Sequence, residues 1–124
     1  MPFLNAGLAY ARLDSARSAI AAFRRAYTEY HVERIGFLYS QIAGVQYKMK
    51  DFRRAEESYT KALRYDPGNT RDLFFLAHAR EEIRKFGPAA DAYRQFLKRA
   101  GGEPSMKDLA AFARKRLREL HAGK

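Results

Sequence analysis

The sequence has 124 residues, no cysteine, and a formal net charge of +10 from 24 Lys and Arg against 14 Asp and Glu. It is 47% hydrophobic, which is enough to bury a core as one domain, and no apolar run approaches the length that spans a bilayer. Without cysteine, a disulfide framework and thiolate chemistry are excluded.

The N-terminal stretch MPFLNAGLAYARLDSARSAI lacks a basic head followed by a continuous apolar block. It therefore does not have the pattern of a secretory signal, and a cytoplasmic location is expected.

Helical periodicity, caps and breakers predict seven helices along the chain. Their expected ranges are 3–13, 15–30, 35–49, 52–65, 71–84, 87–99 and 105–121. No run of alternating β-branched residues bounded by turns competes with them.

The junction after the second helix is the least determined part of this prediction. The four residues 31–34, HVER, contain neither Gly nor Pro, so a longer turn is expected but no strong breaker marks it. The alternative is a helix that continues through the junction, which would permit domain swapping and a homo-oligomer.

The fourth helix is the clearest element and is repeated elsewhere in the chain. Asp51 is placed to cap it, Pro67 cannot continue it, and apolar residues recur at three- and four-residue steps on one face. That face comprises Phe52, Ala55, Tyr59, Ala62 and Leu63. A shift of 34 residues places it on Phe86, Ala89, Tyr93 and Phe96, and a shift of 36 the other way places it on Ala16, Ala19, Phe23 and Ala26. Self-similarity at this period is typical of a stacked helical array.

The repeated pattern resembles the tetratricopeptide repeat, whose signature is an aromatic, apolar, small and aromatic set followed by A-x3-F and a proline. The first-helix half is represented by Phe3, Ala6, Gly7 and Tyr10, by Tyr39, Ile42 and Ala43, and by Leu73, Leu76 and Ala77. Two copies depart from the signature, because Gln46 and Arg80 stand where it has its tyrosine.

This resemblance implies an all-α, right-handed superhelical array of three helix-turn-helix repeats in one domain, over residues 1–34, 35–69 and 70–103. Ala55 and Ala89 should be buried where the two helices of a repeat touch. The helix over 105–121 has an apolar face of Leu109, Phe112, Ala113, Leu117 and Leu120, and it is expected to cap the array behind a turn in which Ser105 and Asp108 form a capping arrangement.

Catalytic and metal-binding patterns were not found in the sequence. The histidines His31, His78 and His121 are isolated, and adjacent glutamates diverge on a helix, which suits pairing with arginines better than work on one bond. We therefore expect no enzyme activity, no cofactor and no metal.

The resemblance implies a concave groove lined by the first helix of each pair. The residues it would place there are Leu8, Arg12, Phe37, Ser40, Gln41, Tyr47, Lys48, Arg71, Phe74, His78 and Glu81. The alternative is that Phe37 and Phe74 belong to the core and the cations to a solvated face.

The predicted function is a non-catalytic protein-protein interaction module or scaffold that binds an acidic, partly apolar peptide segment of a partner. Some relatives hold chaperone tails through a clamp of lysines, asparagines and an arginine. At those places this sequence has Leu4, Leu8, Gln41, Arg71 and Phe75, of which only Arg71 is chemically similar. Tail binding of that kind is not predicted. The lower-ranked alternative is a nucleic-acid or other polyanion-binding protein that acts through its basic surface.

Overall fold

A computed structural model describes residues 16–29 and 34–122 of the chain. The first predicted helix and the junction residues His31, Val32 and Glu33 lie outside this part, so neither alternative for the junction is tested.

Six α-helices make up the described residues, and no strand occurs among them. They are α1 (Ala16–Glu29), α2 (Ile35–Lys48), α3 (Phe52–Tyr65), α4 (Thr70–Glu82), α5 (Phe86–Ala100) and α6 (Lys107–Ala122). The all-α prediction is confirmed, and the bounds agree with the sequence to within one or two residues, apart from the turn before α6.

The chain divides into two compact units, residues 1–67 with α1 to α3 and residues 68–124 with α4 to α6. The helix pairs α2–α3 and α4–α5 are the second and third predicted repeats. The single-domain organisation and the repeat limits at 34 and 103 stay predictions.

The first unit is held together by small and aromatic side chains that meet between its helices. Ala55 of α3 is 0% exposed and Tyr59 only 4%, so the face predicted for this helix is buried. On the other side of α2, Ile42 and Val45 form a cluster with Ala19 and Phe23 of α1. Both neighbours of α2 therefore use alanine to bring a helix axis close and an aromatic ring to fill the remaining space.

The turn inside each helix pair has the same backbone shape 34 residues apart. Lys50 has φ 62° and Arg84 has φ 65°, both in the left-handed region. The next amide in each turn donates back to the first helix, from Asp51 to the Gln46 carbonyl at 2.9 Å and from Lys85 to the Arg80 carbonyl at 2.8 Å. This five-residue hydrogen bond closes the helix end and reverses the chain.

The helix caps are partly as predicted. The Asp51 side chain accepts from the Arg54 amide, and the Asn69 side chain accepts from the Asp72 amide at 3.2 Å. The arrangement predicted for Ser105 is wrong. Pro104–Met106 forms a 3-10 turn, in which the Ser105 hydroxyl donates to the Glu103 carboxylate instead of capping α6. The proline sets that tighter turn, so α6 begins two residues later than predicted.

The core of the second unit is aromatic. Tyr93 and Phe96 of α5 are 0% exposed, and the Phe74 ring of α4 lies 5.3 Å from that of Phe96. Ala89 is also 0% exposed, which confirms its predicted burial. The predicted apolar face of α6 packs into the same unit, with Ala113 fully buried and Phe112 against Phe74.

A polar contact joins the three helices of this unit. The Glu81 carboxylate accepts a 2.9 Å hydrogen bond from the Tyr93 hydroxyl and is paired with the Arg116 guanidinium, which also contacts Glu119. The hydrogen bond to Glu81 is the largest influence on Arg116 and raises its pKa. This agrees with the expectation that adjacent glutamates serve as partners for arginines.

Candidate functional site

One face of α2 is exposed and contains most of the binding residues predicted for the first unit. Phe37, Gln41, Gly44 and Lys48 recur at steps of four, three and four residues, so they lie in one row about 16 Å long. We call this row the α2 stripe. Phe37 is 45% exposed and Lys48 is exposed, while Gln41 is half-buried.

The rest of α2 explains why this row is left exposed. Leu38 is 0% exposed, and Ile42 and Val45 are each 7% exposed, because these side chains point into the contacts with α1 and α3. Gly36 lies against α3, where an added Cβ would meet the Cβ atoms of Tyr65 and Asp66 at 3.2 Å. The stripe is therefore the part of α2 that packing within the unit does not need.

Tyr47 stands beside the stripe and not within it. Its ring packs edge-on against Phe52 at 5.4 Å and Tyr59 at 6.5 Å, and the residue is half-buried. Tyr47 thus fixes the end of α2 on α3 and offers only one edge to a ligand.

Sequence reasoning missed two residues at this site. An added Cβ at Gly44 would meet nothing within 4 Å, so a ligand backbone has room to approach the middle of the stripe. Arg34 is exposed just before α2, one helical turn from Phe37. The same three- and four-residue spacing that selects Phe37 and Lys48 could have found both.

The charge around the stripe has one sign. The sequence of α2, IGFLYSQIAGVQYK, contains no Asp or Glu, and the stripe has cations close to both ends, Arg34 and Lys48. An anionic segment laid along it would meet no carboxylate of α2 itself.

On α4 the prediction is only partly correct. Phe74 is 6% exposed and belongs to the core of the second unit, so its placement on an open face is wrong. A shift of 34 residues carries the α2 stripe onto Arg71, Phe75, His78 and Glu82, and Phe74 falls one position away from that row. Its neighbours in the fold are the rings of Tyr93, Phe96 and Phe112, which complete its burial.

The other residues predicted on α4 lie nearer to solvent. Arg71 is exposed and its guanidinium lies 6.0 Å from the centre of the Phe75 ring. The His78 side chain is 23% exposed, 3.5 Å from Glu82 and 5.8 Å from the Phe112 ring. Glu81 pairs with Arg116, so its predicted role as a groove residue is replaced by an internal contact. The remaining predicted residues, Leu8 and Arg12, lie outside the described residues.

Metal-binding geometry was searched for among the same residues. No group of three or more His, Cys, Asp or Glu side chains that could hold a metal ion occurs within 16–29 and 34–122. Within those ranges no helix is both long and apolar enough to cross a membrane.

Residues 36–69, which contain α2 and α3, match the family profile described as tetratricopeptide repeat. Among solved structures, the Arabidopsis OM64 TPR domain is 26% identical, covers 94% of this chain and 92% of its own, and superposes with a TM-score of 0.76. The fold is that of a tetratricopeptide repeat domain.

Two further structures show how widely this tetratricopeptide fold is used. The Yersinia enterocolitica type III secretion translocator chaperone SycD is 13% identical over 98% of this chain and 83% of its own, with a TM-score of 0.83. The first TPR of Spaghetti (RPAP3), bound to the HSP90 peptide SRMEEVD, is 17% identical over 98% of this chain and 91% of its own, with a TM-score of 0.74. No curated protein matches the sequence significantly.

The departures from the tetratricopeptide signature have structural consequences. Gln46, at the signature's tyrosine position in the second repeat, is 7% exposed and accepts a 2.6 Å hydrogen bond from the Ser58 hydroxyl. At the same position of the third repeat, Arg80 donates to the Pro88 carbonyl at 3.3 Å. Each polar substitute thus binds the second helix of its own repeat in place of an aromatic contact.

Proposed function

We propose that this tetratricopeptide chain is a non-catalytic protein-interaction module that binds an acidic, partly apolar segment of a partner protein along the α2 stripe. The observation that carries the proposal is Phe37, a large apolar side chain 45% exposed on a helix face that the fold does not use for packing. An exposed aromatic ring gives a partner large contact area at a small cost in side-chain entropy.

The polar side chains of the stripe favour an acidic partner. Lys48 at one end and Arg34 near the other can attract carboxylates over the long range and orient the segment as it arrives. Gln41 between them can donate and accept hydrogen bonds to a peptide backbone. The open space at Gly44 allows that backbone to come close to the helix.

The comparisons support this type of ligand. The peptide in the Spaghetti structure, SRMEEVD, combines three carboxylate side chains with Met and Val, so a domain of this fold accommodates an acidic and partly apolar segment. This chain has Gln41 and Phe75 where chaperone-tail clamps have polar amide or basic side chains, so a different acidic segment is proposed here. In the second unit, Arg71 and His78 remain candidate contacts on α4.

The proposal is tested by affinity capture followed by direct binding of the captured segment. The wild-type domain is compared with Phe37→Ala and Lys48→Glu, and Arg53→Glu is the control because Arg53 is exposed on α3 away from the stripe. Loss of the same partner with both stripe variants, and its retention with the control, supports the assignment. Retention by all three variants contradicts it.

A further inference from the structure

The first unit contains a cavity of about 400 Å³ on the opposite side of α2 from the stripe. Its walls come from all three helices of the unit. The lining residues are Arg24 of α1, Leu38, Tyr39, Ile42 and Gln46 of α2, and Arg54, Glu57, Ser58 and Lys61 of α3. A volume of this size is within the range of small-molecule sites in proteins.

The departure at Gln46 accounts for space in this wall. A tyrosine at this position, as in the repeat signature, would put a phenol ring where the shorter amide now lies. Gln46 is instead held by Ser58, which is 8% exposed and donates its hydroxyl to Oε1. Because Oε1 accepts that bond, the donor end of the buried amide is the part of Gln46 that a ligand can engage.

The mouth of the cavity is predominantly basic. Arg24, Arg54 and Lys61 are exposed side chains, and Glu57 is the one carboxylate among the lining residues. The Lys61 ammonium lies 5.6 Å from the centre of the Tyr39 ring, which holds the charge over an aromatic surface. Arg54 also pairs with Asp51 at 3.6 Å, so Arg24 and Lys61 are the cations that face fewer carboxylates.

The floor is apolar and rigid. Leu38 and Ile42 are buried, and the Tyr39 ring is stacked on Tyr65 with their centres 6.0 Å apart and their planes 12° apart. A flat or aliphatic body could therefore rest on this floor while a charged group lies at the basic mouth.

We propose that this cavity binds a small organic anion. Its apolar body packs on Tyr39 and Ile42, the Gln46 amide donates to a polar atom near the floor, and a carboxylate or phosphate group lies between Arg24 and Lys61. The site is separate from the α2 stripe, so a partner segment and the anion can bind at the same time.

The test is a titration of the whole chain followed by backbone amide NMR at constant ionic strength. Phenyl phosphate is the probe, inorganic phosphate supplies the head group alone, and benzyl alcohol supplies a neutral ring. We expect phenyl phosphate to shift the amide signals of Tyr39, Gln46, Ser58 and Lys61 and to bind about tenfold more tightly than either fragment, since both parts of the site are then used.

Two substitutions separate the cavity from general attraction to a basic protein. Lys61→Glu should weaken phenyl phosphate binding by about tenfold, whereas Arg64→Glu, the same charge change on the same helix outside the lining, should leave it nearly unchanged. Gln46→Tyr should abolish binding by filling the space without removing any cation. Glu57→Gln should tighten it, because one carboxylate is removed from the mouth.

The proposal is overturned if inorganic phosphate binds as tightly as phenyl phosphate, or if Lys61→Glu and Arg64→Glu weaken binding equally. Either result would indicate unspecific attraction to the charge of the chain. Since Lys61 and Arg64 are both exposed, this comparison remains decisive even if Gln46→Tyr disturbs the fold.

Discussion

The ring of Phe112 on α6 lies 5.6 Å from the ring of Phe74 on α4, with their planes at 65° to each other. This edge-to-face contact joins the last helix of the chain to the aromatic core of the second unit. It also places α6 over a position that the sequence predicts to be an open binding surface. Phe112 further contacts His78, at 5.8 Å.

Replacing Phe112 with Ala should therefore lower the free energy of unfolding by about 1 to 2 kcal/mol, less than the loss of a fully buried phenylalanine, because the ring is 40% exposed. The control is Phe37→Ala, a phenylalanine of similar exposure on the α2 stripe, which should change stability by about 0.5 kcal/mol or less. Urea unfolding measures both. Equal destabilisation by the two substitutions would contradict the role assigned to the Phe112 contact.

Ala55 and Ala89 are both fully buried inside their helix pairs. Leu at either position should overpack the contact and cost about 1 to 3 kcal/mol, measured by thermal or urea unfolding. Ala111→Leu is the matched control on the exposed side of α6 and should be nearly neutral. Tolerance of Leu at both buried positions would mean that these alanines do not set the spacing of the helices.

Gly36 and Gly44 are two glycines of the same helix in different surroundings. Gly44→Ala should raise stability by about 0.5 to 1 kcal/mol, because alanine is the better helix former and its Cβ meets nothing. Gly36→Ala should lack this gain, since its Cβ would press on Tyr65 and Asp66 at 3.2 Å. Urea unfolding of the two variants compares them directly. A larger gain at Gly36 than at Gly44 would contradict the close approach of α2 and α3.

Lys50 and Arg84 adopt left-handed backbone conformations at equivalent turns. A residue with a Cβ is disfavoured there by about 1 to 2 kcal/mol, so Lys50→Gly and Arg84→Gly should each raise the melting temperature. Lys85→Gly is a suitable control, because Lys85 follows in the same turn with φ −89°. Destabilisation by glycine at both left-handed positions would show that the side chains matter more than the backbone strain.

The sequence predicts the helices well because their signals are local. Asp51, Asn69 and the spacing of Ala55 and Tyr59 act within a few residues, and the 34-residue period then repeats the result in the next pair. The start of α6 was predicted too early because Ser105 could cap a helix, whereas Pro104 favours a 3-10 turn in which Ser105 bonds to Glu103.

The binding surface is harder to predict, because exposure depends on distant contacts. Phe37 and Phe74 both occur on first helices of a pair, yet one is 45% exposed and the other 6%. The difference comes from α5 and α6, which place Tyr93, Phe96 and Phe112 around Phe74. Periodicity along α4 contains no information about these partners. The cavity beside Gln46 is likewise visible only once three helices are assembled.

The central claim, that the α2 stripe binds an acidic and partly apolar segment, is tested most directly by the binding kinetics of the captured segment at several salt concentrations. Phe37→Ala should mainly raise the dissociation rate constant, because it removes short-range contact. Lys48→Glu should lower the association rate constant and reduce its dependence on salt, because it removes long-range attraction. Arg53→Glu should leave the dissociation rate constant unchanged. If both stripe variants bound with wild-type rate constants and wild-type salt dependence, the stripe would not be the binding site.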